Sequence, residues 1–176
     1  MNETFVSNQI SFTEKAFGKV NLTLEILGRR RDGFHNLASV MQTVDLFDTI
    51  EFSESHDVIV TCDDEEITPE INLASKAASV LQQTVGISTG ATISIKKNIP
   101  VSAGLGGGST DAAAVLRGLN KLWKLGLSLD ELTEIGADIG SDVPFLVRGG
   151  TSLVQGKGEV VTPITPAKVP KFLILT

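Results

Sequence analysis

One stretch of this chain limits its fold more than any other: Pro100-Val-Ser-Ala-Gly104-Leu-Gly106-Gly107-Gly108-Ser109-Thr110-Asp111. Four glycines within five residues lose much conformational entropy on folding, so the run calls for a compensating use of its bare backbone. The residues before it, 91–96, alternate apolar and polar as a strand does, and those after it, 109–123, repeat apolar positions at helical spacing. A strand, a glycine-rich turn and a helix start gather backbone N–H groups and the positive end of the helix dipole around one concave spot. Such a spot suits an anion, above all a polyphosphate, and Ser109 and Thr110 can add hydroxyl donors. The plainer alternative is a loop whose Ser109, Thr110 or Asp111 merely caps the helix. Two common phosphate loops do not fit. A P-loop needs Lys-Ser/Thr after its last glycine, where this chain has Ser109 and Thr110. A dinucleotide fingerprint counted from Gly104 and Gly106 puts Ser109 where its third glycine belongs.

Composition narrows the partners. Of 176 residues, 41% are hydrophobic, 20% charged and 5% aromatic, as in an ordinary globular protein. A chain of this length buries roughly 70% of the surface its unfolded form exposes, enough for its own core. Fifteen Lys+Arg against 21 Asp+Glu leave a net charge of −6, which argues against nucleic-acid or anionic-membrane partners. A local positive pocket for a phosphorylated ligand is still compatible with that balance. Cys62, the single cysteine, has no disulfide partner, and its expected role is packing in an apolar strand; His35 and His56 are too few for a histidine metal site. Met1-Asn-Glu-Thr4 lacks the basic head and apolar stretch of a secretory signal, and no run reaches the roughly 20 apolar residues of a membrane helix. The expectation is a reduced, cytoplasmic, soluble protein, with no signal for its oligomeric state.

The first half reads as strands. Val20, Leu22, Leu24 and Ile26 alternate with Lys19, Asn21, Thr23 and Glu25, which predicts a half-buried strand with the apolar set inward. Arg31-Asp-Gly-Phe34 predicts a turn, since Asp-Gly supplies positive φ. Strands are predicted over 38–46, 49–53 and 58–62, then a helix over 72–85 capped by Asn72. After the 91–96 strand and the 109–123 helix, a third helix spans 129–139 behind a Ser128/Glu131 capping box. Short strands are predicted around 145–147, 152–154 and 171–175. Antiparallel strands followed by clustered helices predict an α+β domain. The last run, Phe172-Leu-Ile-Leu175, is apolar enough for a buried strand, either a docked terminus or a crossing point into a further domain.

Several residues near the loop can carry chemistry. Asp142, in Gly140-Ser-Asp142-Val-Pro144, sits at a turn where a carboxylate can accept or orient a hydroxyl proton, or merely bond its own backbone. Lys19 is either a solvated strand charge or, with Asn21 one pleat along, part of a cleft wall. Phe34 and His35 can stack on and hydrogen-bond a heterocyclic base, or be a packed ring beside a surface imidazole. Lys96 and Lys97 attract phosphate or simply end a strand in water.

The segment Ile99 to Ala114, with its Gly-Leu-Gly-Gly-Gly-Ser-Thr-Asp core, resembles the phosphate-binding motif of the GHMP kinases. Gly18-Lys-Val-Asn-Leu22, Arg31-Asp-Gly-Phe-His35 and Ile139-Gly-Ser-Asp-Val-Pro144 narrow the resemblance. They point to the branch acting on a cytidine-diphosphate derivative of methylerythritol in the non-mevalonate isoprenoid pathway. Four motifs in order cover the chain from about residue 12 onward.

The resemblance implies the GHMP N-terminal lobe over residues 1–176: a largely antiparallel sheet with helices on one side, like ribosomal protein S5 domain 2. A second, C-terminal lobe of the family is lacking from this sequence. The implied activity is transfer of the ATP γ-phosphoryl group, with Mg²⁺, to the 2-hydroxyl of that small-molecule substrate. Lys19 and Asp142 match the family's active-site lysine and aspartate. Pro100, Val101, Ser102, Ala103, Gly104, Leu105, Gly106, Gly107, Gly108, Ser109 and Thr110 would cradle the ATP phosphates, with Asn72 and Lys97 near the adenosine. Asn21, Phe34 and His35 would meet the cytidylyl substrate. This chain departs from the pattern at Phe17-Gly18, where the family has Pro-Ala, at Phe34, where it has tyrosine, and at Thr110, where it has serine. A GHMP kinase with another small acceptor, or a nucleotide-binding paralogue without turnover, are the alternatives the sequence leaves open.

Overall fold

The computed structural model describes residues 10–65, 67–68 and 72–166. Six strands and four helices follow in chain order: β1 (Ser11–Arg29), β2 (His35–Ser55), β3 (Val58–Cys62), α1 (Leu73–Val85), β4 (Gly90–Lys96), α2 (Gly107–Leu122), α3 (Leu129–Ala137), α4 (Val143–Arg148), β5 (Thr151–Gly156) and β6 (Val160–Pro163). The α+β expectation holds. β2 is the spine of the sheet: it pairs antiparallel with β1 along one edge and, on the other, with β5 over its first half and β4 over its second. Only β3 and β4 are parallel, joined through α1.

The runs predicted over 38–46 and 49–53 are one 21-residue strand. Phe47 and Asp48, between the two runs, stay in the ladder because Phe17 and Ala16 of β1 pair with them, while the bulge in β1 leaves 44–46 without partners there. β1 itself begins at Ser11, eight residues before the alternating pattern becomes visible, and its register shifts between Phe17 and Lys19 and again between Asn21 and Thr23. Those bulges re-aim the side chains at Lys19 and Asn21.

The predicted inward apolar face of β1 is corrected. Leu22, Leu24 and Ile26 are exposed, Ile26 by 68%, whereas Lys19 on the opposite set is only 7% exposed. Among the described residues no helix covers the outer half of this edge strand, so its apolar side chains stay exposed.

The core lies between the sheet and the helices. Ile50, Phe52, Ile93 and Ile95 meet Ala112, Leu116 and Leu119 of α2, and Ala74, Ala77, Ala78 and Leu81 of α1. Alanines bring the helix axes close to the sheet, and Gly118 does so most sharply: a Cβ there would stand 2.6 Å from Phe52 Cε1.

α1 starts at its predicted cap, where Asn72 Oδ1 accepts from Ala74 N–H at 2.9 Å. The Ser128/Glu131 capping box of α3 is present as read, though that helix ends at Ala137. The strand predicted around 145–147 is instead α4, a six-residue helix with Pro144 in its first turn and Gly149 at its end. A short apolar run fits a buried strand and a buried helix equally well, and Pro144 with Gly149 is the punctuation of a helix. β6 was not predicted, and the run 171–175 lies outside the described residues. Among the described residues no helix is long and apolar enough to cross a membrane.

Candidate active site

The glycine loop joins β4 to α2. Gly106 is the N-cap of α2, and Gly104 and Gly106 both hold φ near +74°, a left-handed backbone that favours glycine. No side chain caps the helix, so the reading in which Ser109, Thr110 or Asp111 merely caps it is set aside. The first-turn N–H groups of α2 face a cavity of about 320 Å³. Residues 100–109 line it, with Asn72, Lys97 and Asp111. Cys62, Ile67 and Leu73, brought together only by folding, complete an apolar wall. Cys62 does pack against the core, as expected, and burial pushes its thiol up.

Thr110 is corrected as a phosphate donor. It is 2% exposed, and its hydroxyl donates to the Phe17 carbonyl. Ser109 remains partly open, and its Oγ lies 3.8 Å from where a Gly140 Cβ would stand. It therefore sits between the glycine loop and the turn carrying Asp142.

β1 is stitched to the loop. Lys19 N–H donates to the Leu105 carbonyl at 2.9 Å, and the lysine stem lies so close to Gly106 that a Cβ there would meet Cγ and Cε at 3.2 Å. Lys19 Nζ then reaches Asp142 Oδ2 at 3.3 Å and donates to Asn21 Oδ1 at 2.7 Å. Asn21 Nδ2 donates to Ser39 Oγ, and Ser39 donates to the Thr23 carbonyl, both at 2.7 Å. Lys19 is thus no solvated strand charge. Asp142 sits at the N-cap of α4 but makes no cap hydrogen bond, its side chain instead pairing with Lys19. Ser39, fully buried, was missed; a polar residue on the inner face of β2 was its only signal.

Phe34 and His35 stand apart from this pair. Both are exposed, at the tip of the β1–β2 hairpin. The Lys157 ammonium lies 5.4 Å from the Phe34 ring centroid, and a Cβ on neighbouring Gly158 would collide with Ser141 O. The 157–159 turn, also missed from sequence, therefore bridges the hairpin tip and the Asp142 turn.

Lys97 is not free to meet an anion. Its ammonium donates to Asp48 Oδ2 and Asp111 Oδ2, each at 2.6 Å, while Lys96 is exposed. Asp48 Oδ1 also accepts from Asn98 and Ile99 N–H at 2.5 and 2.8 Å. One fully buried carboxylate thus holds three successive residues leading into the loop. Asp111 is pushed up to about 7 by burial, against the opposing pull of Lys97, with the Asp48 charge adding to the rise.

Comparisons with known proteins place the chain among proteins of similar sequence and fold. Residues 72–150 match the model of the GHMP kinases N terminal domain. Solved structures share its fold: the Methanococcus jannaschii mevalonate kinase superposes with a TM-score of 0.65 at 17% identity, over 92% of this chain and 57% of that one. Within the class, the chain is similar to 4-diphosphocytidyl-2-C-methyl-D-erythritol kinases. That of Geobacillus sp. (strain WCH70) is 54% identical over 164 residues, which is 92% of this chain and 56% of the relative. That of Bacillus cereus (strain Q1) is 48% identical over 89% of this chain and 55% of the relative. A crystal structure of 4-(cytidine 5'-diphospho)-2C-methyl-D-erythritol kinase superposes with a TM-score of 0.72 at 35% identity, over 87% of this chain and 55% of that one. The chain spans about half the length of the curated relatives it matches.

Proposed function

We propose that this chain is the ATP-binding, N-terminal part of a small-molecule kinase that phosphorylates the 2-hydroxyl of 4-diphosphocytidyl-2-C-methyl-D-erythritol. One observation carries the reading: the Lys19–Asp142 pair is tied to the glycine loop through the Lys19 N–H bond to Leu105 O. A phosphoryl donor held on the loop and a hydroxyl held beside Asp142 would meet across Lys19.

MgATP is the donor, its metal arriving with the phosphates; among the described residues no group of three or more His, Cys, Asp or Glu is placed to hold a metal ion. The N–H groups of residues 106–108, with Ser109 Oγ, hold the phosphates, and Asn72 and the Cys62–Leu73 wall border the nucleoside. Asp142 accepts the acceptor's hydroxyl proton as the oxygen attacks the γ-phosphorus, and the bond to ADP breaks. Lys19 compensates charge on the transferring group. Asn21, oriented by Ser39, fixes the lysine. Phe34 and His35, with Lys157, offer a ring, an imidazole and a cation to the cytidylyl end. Relatives with that printed activity support the choice of acceptor.

The test is ADP release from MgATP and the cytidine-diphosphate methylerythritol by the product of the complete reading frame, with Asp142→Asn alongside. Substrate-dependent release that collapses in the variant is expected. Release only with a different alcohol would move the acceptor, and a folded protein that binds ATP without turnover would make it a non-catalytic paralogue.

A further inference from the structure

Beneath the glycine loop lies a cluster that the catalytic reading leaves unused. Asp48, Lys97 and Asp111 come from β2, the residue after β4 and the second turn of α2, and their side chains are 0, 8 and 4% exposed. The Lys97 ammonium bridges the two carboxylates, so it ties the entry of the loop to its exit. Asp48 adds bonds to the N–H groups of 98 and 99, and Asp63 Oδ1 accepts from Lys97 N–H at 2.8 Å. Two aspartates against one lysine carry a formal charge of −1 on side chains that are almost wholly buried, with Lys97 and Asp111 reaching the cavity wall. Asp111 Oδ1 is buried without a hydrogen-bond partner among the described residues.

The loop that this cluster holds is the one that must take phosphate charge. Gly107 is so near that a Cβ on it would stand 3.4 Å from Lys97 Nζ. A polyphosphate seated on the loop N–H groups therefore raises the cost of the cluster's excess negative charge, and little solvent screens the two. The unbonded Oδ1 can relieve that cost by taking a proton.

We propose that Asp48, Lys97 and Asp111 are positioning residues of the glycine loop, and that the cluster takes up a proton at Asp111 when a nucleotide's phosphates bind. The other groups that face it are accounted for: Cys62 and Asp63 at the end of β3 lie within its field, and neither bonds Asp111 Oδ1. Asp111 already titrates near neutrality in the free protein, its carboxyl pushed up to about 7 by burial. Phosphate charge pushes it further in the same direction, so nucleotide affinity falls as pH rises from 7 toward 9.

The experiment, resting on the nucleotide assignment of the loop, is calorimetric titration of MgADP into the product of the complete reading frame. At pH 7.5 it is run in buffers of different ionisation enthalpy, and Kd is followed from pH 6.5 to 9. Wild type is expected to take up at most roughly three-quarters of a proton per nucleotide, the share left to fill at pH 7.5 on a group titrating near 7. Its Kd should rise by up to about tenfold per pH unit. Asp111→Asn, which keeps the shape and cannot titrate, should lose most of that uptake and flatten the profile. Subtracting it removes the nucleotide's own protonation. Tight binding with no buffer-dependent enthalpy, or an Asp111→Asn profile overlying wild type, overturns the proton uptake while leaving the nucleotide reading intact. If the variant fails to fold, the buffer dependence of wild type alone decides. Absence of MgADP binding would instead remove the nucleotide reading and this inference with it.

Discussion

Lys19 Nζ stands 3.3 Å from Asp142 Oδ2, joining the first strand of the sheet to the start of α4 across the mouth of the glycine loop. The pair is asymmetric. Lys19 is nearly enclosed, whereas the Asp142 side chain keeps 29% of its surface open. Asp142→Asn should lower kcat by about 10²–10⁴-fold, the usual range for a general base, with KM for ATP little changed. Lys19→Met should cost about 10²–10³-fold. The double variant should fall far short of the product of the two losses, because the residues act as one unit. Steady-state kinetics of the three variants checks this, and multiplicative losses would separate the two roles.

Asp48 should be the most costly polar residue to truncate. Asp48→Ala leaves the Asn98 and Ile99 N–H groups without their acceptor and removes half of the support for Lys97. Breaking a buried ion pair of this kind costs about 3–5 kcal/mol, read as a shift of the urea midpoint. Asp48→Asn, which retains an acceptor oxygen, should recover part of it. A loss under about 1 kcal/mol for Asp48→Ala would mean that the loop entry is held by other contacts.

Gly118 tests the close approach of α2 to the sheet. On helix propensity alone Gly118→Ala would stabilise, yet the added methyl meets the Phe52 ring, itself 1% exposed and unable to retreat. Overpacking should win, with destabilisation of about 1–3 kcal/mol. A Gly118→Ala variant as stable as wild type would show that the Phe52 ring shifts freely.

Asp111 gives stability a pH dependence of unusual sign. Its carboxyl titrates at about 7 when folded, above its ordinary value of 3.8. The folded state therefore holds more protons than the unfolded state between those values, and its contribution to stability declines as pH rises through that window. It levels off above 7. Relative to wild type, Asp111→Asn should gain stability from pH 4 to pH 7 and no further, as measured by urea unfolding at each pH. Parallel curves for the two proteins would show that burial does not perturb this carboxyl.

Much of the site was legible because its parts are local. The glycine run between a strand and a helix, the Asn72 cap, the Ser128/Glu131 box and the Asp-Gly turn each depend on neighbours within a few residues, where chain geometry leaves few choices. The failures came where a distant partner decides. A short apolar run at 145–147 has no period, so helix and strand were indistinguishable until Pro144 and Gly149 were placed. The alternation of Leu22, Leu24 and Ile26 marked a strand correctly but not its surroundings, since among the described residues no core lies against that edge. Thr110 looked like a phosphate donor until the Phe17 carbonyl took its hydroxyl.

The amino-acid sequence by itself determined the element types over most of the chain, the glycine-rich turn between a strand and a helix and the residue kinds available for chemistry. Those follow from periodicity, glycine backbone freedom and side-chain functional groups. Tertiary structure alone decided which charges are free. Lys19 and Lys97 look alike as strand-associated lysines, yet folding sets one against a partly open carboxylate and buries the other between two closed ones. Charge availability depends on partners brought together from remote segments and on the water removed around them, and neither is encoded in the spacing of residues along a strand.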